Sequence, residues 1–117
     1  AKMRALRRGR WAEYLTALVL RLTGYRILAH NFKTHVGEID LIARRANTIC
    51  FVEVKARTTH AQAREAISVP QRRRIQRAAE LFLVHNTHLQ TCDVRFDVAL
   101  VTGPLRLTIL RDAWRDA

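Results

Sequence analysis

The sequence is short of acid. Ten Asp and Glu stand against 21 Lys and Arg, giving a formal charge of +11 and an isoelectric point of about 11.3. A small domain needs only about 2–8 net charges for solubility, so the excess points to a polyanionic partner. Lysine is scarcer still, with Lys2, Lys33 and Lys55 set against 18 arginines. Arg forms bidentate hydrogen bonds to phosphate, which favours nucleic acid as that partner. A solvated surface from an Arg-rich proteome is the plainer alternative. Long apolar runs are missing too: none approaches the ~20 residues that cross a bilayer, so no membrane partner is expected. The basic start, Lys2 to Arg10, leads into an amphipathic pattern with Glu13 and Arg21. It has neither the apolar region nor the cleavage site of a signal peptide, and a cytoplasmic location is the expectation. Only Cys50 and Cys92 are present, both in strand-like runs, so reduced and packed thiols are expected. A zinc site from Cys92, His85 and His88 can be drawn, but the paired C-x-x-C spacing that would support it is absent. Repeats, low-complexity tracts and linkers are lacking, and 117 residues suffice for one domain with a single core.

What is there reads as an α/β domain. Trp11, Tyr14, Leu15, Leu18, Val19 and Leu22 recur at helical spacing, predicting a helix over Arg7–Thr23 that Gly24 stops. Strands are predicted over Tyr25–Phe32, Glu38–Ala43 and Ile49–Ala56, with a turn at Arg45-Ala46-Asn47 between the last two. Arg57–Ser68 has little periodicity and reads as a mobile loop. Pro70 fits the first turn of a second helix running to about His85, with Ile75, Ala78, Ala79 and Phe82 as its apolar stripe. Strands over Asp93–Val101 and Leu105–Leu110 flank a Gly103-Pro104 turn, and Trp114 is expected to cover the edge of the core. The order is α-β-β-β-α-β-β.

The second and third strands should form an antiparallel hairpin. With its turn centred between Ala46 and Asn47, Asp40 faces Glu53 and Glu38 faces Lys55. Opposed side chains have Cβ atoms about 4.5–5.5 Å apart, where like charges repel. Two carboxylates held so want a proton or a cation between them, and oxygen-only ligands favour Mg²⁺ or Mn²⁺ over zinc. Glu53 and Lys55 share a face with Ile49 and Phe51, while Cys50, Val52 and Val54 line the other, as in an inner strand. The alternative is a half-exposed hairpin with Glu38–Lys55 as a cross-strand ion pair. A one-residue slip would part Asp40 from Glu53.

The runs Gly37-Glu38-Ile39-Asp40-Leu41-Ile42 and Phe51-Val52-Glu53-Val54-Lys55-Ala56-Arg57 resemble the signature of the PD-(D/E)XK nuclease superfamily, an Asp followed by Glu-x-Lys on the next strand. More narrowly, the chain is similar to the YraN-like family of small bacterial proteins, predicted endonucleases related to Holliday-junction resolvases. The similarity runs from Gly9-Arg10-Trp11-Ala12-Glu13 to Arg95-Phe96-Asp97-Val98, roughly nine-tenths of the chain. It implies a restriction-endonuclease-like core, a mixed central sheet flanked by helices, and one nuclease-like domain over residues 1–117. It also implies a metal-dependent endonuclease acting on DNA, with branched and single-stranded DNA as the candidate substrates, in repair or recombination. Asp40 and Glu53, with the Val54 carbonyl, would ligate Mg²⁺ or Mn²⁺. Lys55 would orient or deprotonate the attacking water, or offset charge on the phosphoryl oxygens. Glu13 matches the family's helix glutamate and would reach the metal through a water; otherwise it is a solvent-facing helix residue. Glu38 is favoured as a structural partner, and Asp97 as the ion-pair partner of Arg95. Gln71 stands where the family usually has lysine; it can still hydrogen-bond a phosphate or a metal-bound water, and related nucleases place a glutamine on this helix, so it is counted with the nucleic-acid-binding residues. Arg57, Arg72, Arg73 and Arg77 would hold the phosphate backbone, or form a solvated face. A catalytically weak nucleic-acid-binding module and a ribosome- or RNA-associated protein are the rival functions. A two-fold branched substrate would suit a homodimer.

Overall fold

The computed structural model describes residues 2–57 and 67–114, with side chains from residue 9 onward. Its elements are α1 (Lys2–Leu22), β1 (Arg26–Lys33), β2 (Glu38–Arg45), β3 (Thr48–Ala56), α2 (Val69–Val84), a 3₁₀ turn (Thr87–Leu89), β4 (Asp93–Gly103) and β5 (Arg106–Trp114). Most of the loop expected over Arg57–Ser68 lies outside the described residues.

The strands form one sheet in the order β1-β2-β3-β4-β5, antiparallel throughout except for the parallel pair β3–β4. Parallel neighbours require a crossover, and α2 lies on the connection between them. This is the expected order around a mixed sheet, a restriction-endonuclease-like core. As the central strand, β3 is covered on both faces. Ile49, Cys50, Phe51 and Val52 have no solvent exposure, which explains its unbroken apolar run.

One face of the sheet packs Ile42, Ile49, Phe51, Phe96 and Val98 against Ile75, Ala78, Ala79 and Phe82 of α2. Phe82 meets Phe32 and Phe51 edge-on at 5.4 and 6.1 Å, favourable geometries for aromatic rings. Trp114 stacks on Phe96 at 5.3 Å and closes the edge of this core, as expected. The other face packs Leu41, Ala43, Cys50, Val52 and Ala99 against Ala17 and Leu20 of α1.

The apolar stripe read for α1 is corrected. Trp11, Tyr14, Leu18 and Leu22 are 48–76% exposed, while Ala12, Leu15, Thr16, Ala17 and Leu20 are buried. Apolar residues occupy more than one side of this helix, and the sheet takes the side with the small residues. Ala12, Thr16 and Ala17 allow close approach, and the Thr16 hydroxyl donates to the Ala12 carbonyl at 2.7 Å, so no polar group is stranded. The helix also starts at Lys2 rather than Arg7.

Two local features aim the start of α2. The Ser68 hydroxyl caps the helix by accepting the Gln71 amide at 3.2 Å, ahead of Pro70 in the first turn. Gly37 then lies so close to α2 that a Cβ there would come within 2.5 Å of the Arg74 carbonyl oxygen. Only glycine permits this contact between the start of β2 and the helix.

Candidate functional site

The hairpin has the register read from its turn: Leu41 lies opposite Val52 and Ile42 opposite Phe51, around Ala46-Asn47. The same count brings Asp40 to Glu53, but regular pairing ends at Leu41–Val52. Beyond it a side chain takes over from the backbone. Asp40 Oδ2 accepts the Val54 amide at 2.8 Å, and its carboxyl is in hydrogen-bonding contact with that of Glu53.

The first strand explains the break. Between the pairs His30–Leu41 and Phe32–Ile39, Asn31 lies opposite Asp40 and has a φ of +48°. Few residues other than Gly, Asn and Asp accept that conformation. Leu41 packs on the α1 face, yet both Ile42 and Ile39 pack on the α2 face, so the period of two is broken at Asp40. The kink draws Asn31 to the helix, where its Nδ2 donates to Glu13 Oε2 at 3.5 Å. One strand irregularity thus gathers groups from α1, β1, β2 and β3.

Glu53 is 8% exposed and is flanked by two donors. Lys55 Nζ lies 3.4 Å from Glu53 Oε1, and Gln71 Nε2 donates to the same oxygen at 3.4 Å. The ion pair of Lys55 therefore runs along its own strand, with Glu53, while Glu38 at the start of β2 is exposed. Burial raises the pKa of Glu53, and the Asp40 charge raises it further against the opposing pull of Lys55. Asp40 is likewise raised by burial, although the Val54 amide and Glu53 oppose the rise. Glu13 is raised by burial and by the Asp40 charge, so all three acids sense the same crowding.

Such a pair favours a shared proton or a cation. Its donors are hard oxygens, and Mg²⁺ commonly uses only one or two carboxylates, keeping waters and substrate phosphates in its other positions. The two carboxyls and the adjoining Val54 peptide fit that description. Among the described residues no three His, Cys, Asp or Glu side chains converge to ligate one ion, so Glu13 stands outside direct reach. Cys92, His85 and His88 form no such group among the described residues either, and neither cysteine is in a disulfide.

The arginines are distributed unevenly. Arg57 is exposed at the end of β3, its guanidinium on the Ala56 carbonyl at 2.8 Å. Arg72 is half-buried beside Gln71. Arg73 and Arg77 are exposed and lie roughly half a turn from the side that Gln71 presents to Glu53, so they are not gathered around the carboxylates. Asp97 is buried and ion-paired with Arg95, Nε to Oδ1 at 2.9 Å.

Sequence reasoning missed Asn31, His30, Arg10 and the exposed side of Tyr14, which surround Glu13. An Asn inside a strand-like run, tolerant of positive φ, was the available signal for the first.

A model of the uncharacterised protein family UPF0102 matches residues 12–101. Similar UPF0102 proteins include one from Chelativorans sp., 50% identical with 86% of this chain and 82% of the relative covered. One from Paramagnetospirillum magneticum is 50% identical with 98% and 92% covered, and one from Maricaulis maris 46% identical with 97% and 90% covered.

Proposed function

The chain belongs to the uncharacterised protein family UPF0102, and we propose that it is a metal-dependent endonuclease hydrolysing phosphodiester bonds in DNA. The observation that carries this reading is the carboxyl pair of half-buried Asp40 and buried Glu53, with Lys55 3.4 Å from Glu53. It is the arrangement expected of the PD-(D/E)XK signature, and the resemblance to the YraN-like predicted endonucleases supports the same activity. The strong positive charge supports a polyanionic substrate.

Bound by Asp40, Glu53 and the Val54 carbonyl, Mg²⁺ or Mn²⁺ would supply Lewis-acid stabilisation of charge at the phosphate. The remaining work falls to the chain itself. Lys55 presents its ammonium beside Glu53, where it orients the attacking water and offsets charge developing on the phosphoryl oxygens. Glu13, its pKa raised by burial and by the Asp40 charge, would act across a water. Gln71 holds Glu53 in place and offers an uncharged donor where a lysine would offer a cation. Arg57, two residues past Lys55, and Arg72, next to Gln71, would grip the backbone, while Arg73 and Arg77 would add longer-range attraction. Gln71 is also the observation that favours the second reading, a nucleic-acid-binding module with little catalysis.

Labelled duplex, single-stranded, flap and four-way DNA are incubated with Mg²⁺ or Mn²⁺. Cleavage is expected, and Asp40→Ala and Lys55→Ala each lower it by roughly 10²–10³-fold, as loss of one electrostatic stabiliser does. Cleavage that survives both substitutions sinks the assigned site. Salt-sensitive binding without cleavage of any substrate replaces it with the second reading.

A further inference from the structure

Beside the carboxylates, α1 and β1 enclose an open groove of about 370 Å³ lined by Arg10, Glu13, Tyr14, His30 and Asn31. The groove is continuous with the candidate site. Glu13 belongs to both, and Asn31 lies opposite Asp40 on the neighbouring strand. Its volume is at the low end for small-molecule sites, roughly 300–1,000 Å³, which accommodates a single nucleotide unit rather than a duplex.

The lining is that of a nucleotide site. Tyr14 is 70% exposed on a helix whose other side packs on the sheet, so its ring is open for stacking. Every base has a π face, and aromatic platforms bind single strands without regard to sequence. Arg10 supplies a cation for phosphate and also balances Glu13, which keeps the groove from being wholly acidic. His30 and Asn31 offer hydrogen-bonding groups on the opposite wall. A purely structural helix face has no need of an exposed aromatic, a guanidinium and an amide around one recess.

Resting on the nuclease reading, we propose that this groove holds one unpaired nucleotide next to the scissile phosphodiester, its base stacked on Tyr14 and its phosphate on Arg10. The substrate class is then single-stranded DNA, or the single-stranded arm at a branch, rather than continuous duplex. Tyr14 and Arg10 are binding residues on this assignment and take no part in bond cleavage.

The test reads binding without turnover. Single-stranded DNA carrying 2-aminopurine is titrated with the protein in EDTA, and stacking is followed by fluorescence quenching; a fully paired duplex of the same length is the control. Wild type and Tyr14→Phe are expected to quench alike. Tyr14→Ala loses the quenching and weakens single-strand binding roughly tenfold, within the range for loss of one base–aromatic stack, while duplex binding stays within twofold. Equal quenching by wild type and Tyr14→Ala overturns the proposal. So does an equal loss of single-strand and duplex binding, with circular dichroism reporting whether the fold is intact. Asp40→Ala separates the two readings: quenching persists in it whatever becomes of cleavage. If no DNA is cleaved by the wild type, the nuclease reading fails and the groove still stands as a nucleotide site; if Tyr14→Ala binds as wild type does, the groove fails and the nuclease reading stands.

Discussion

A lone buried carboxylate, Asp97, and the Asp40–Glu53 pair sit back to back on the central sheet. On the α1 face, Asp97 is wholly buried and receives the Arg95 guanidinium at 2.9, 3.0 and 3.2 Å, with the Asp112 amide at 2.9 Å. Arg95 also donates to the Tyr25 hydroxyl at 2.7 Å, and hydrogen bonding to Asp97 pushes its pKa up. Neighbouring Cys50 has its thiol pushed up to about 11 by burial and then by the Asp97 charge, which keeps it inert. On the α2 face, Glu53 has another carboxylate for a neighbour, and its two donors stand off at 3.4 Å. Asp97 is thus held by short, charge-assisted bonds, as a framework acid is. The Asp40 charge holds Glu53 above its ordinary pKa while hydrogen bonding to Glu53 draws Asp40 the other way, an unequal carboxyl pair that folding alone does not require and a ligand site does.

The contrast is broken most forcefully at Asp97. Asp97→Asn removes the counter-charge of a partly buried Arg95, and losing one member of such a pair costs about 3 kcal/mol. At about 4 °C per kcal/mol the melting temperature should fall by roughly 12 °C, while cleavage per folded molecule is unchanged. Thermal melting beside the DNA assay checks this; a stable but inactive variant would make Asp97 part of the site instead. Glu53→Gln should do the reverse, abolishing cleavage while stabilising the fold above neutrality. The folded pKa of Glu53 is about 8 against an ordinary 4.5, so the folded state holds the proton more tightly than the unfolded chain. Its stabilising contribution is complete below pH 4.5 and is lost as pH rises through 8. The melting temperature of the wild type should therefore fall between pH 5 and 8 in EDTA, Glu53→Gln should flatten that slope, and millimolar Mg²⁺ should restore the wild type by binding the folded state. A slope that Glu53→Gln leaves intact would assign it to other groups.

Much of this was legible from residues alone. Element order followed from periodicity and punctuation, and the Asp40–Glu53 meeting followed from a two-residue turn, because a hairpin's register is fixed by its loop. Less legible was anything that depends on which side of an ambiguous element finds the sheet. Helix α1 carries apolar residues around most of its circumference, so spacing could not distinguish the small, buried side of Ala12 and Thr16 from the exposed side of Tyr14 and Leu18. The positive φ of Asn31 is likewise set by tertiary pairing with β2, and that conformation turns a strand residue toward Glu13. Close approach at Gly37 was hidden for the same reason: it depends on where Arg74 of α2 comes to rest.

The smallest expected effect lies at the turn that sets the register. Ala46 has a φ of +52°, a conformation that costs a residue with a Cβ roughly 1–2 kcal/mol. Ala46→Gly removes that cost but adds flexibility to the unfolded chain, worth about 0.4–1 kcal/mol in the opposite direction. The net expectation is a gain near 0.5 kcal/mol, read as a rise of about 2 °C in melting temperature. Ala46 lies at the far end of β2 from Asp40, and distant sites contribute independently. Combined with Asp97→Asn it should therefore add its increment unchanged, and alone it should leave cleavage as it was. Loss of cleavage in Ala46→Gly would mean that the turn's rigidity holds the Asp40–Glu53 register together, joining the turn to the site rather than to the framework.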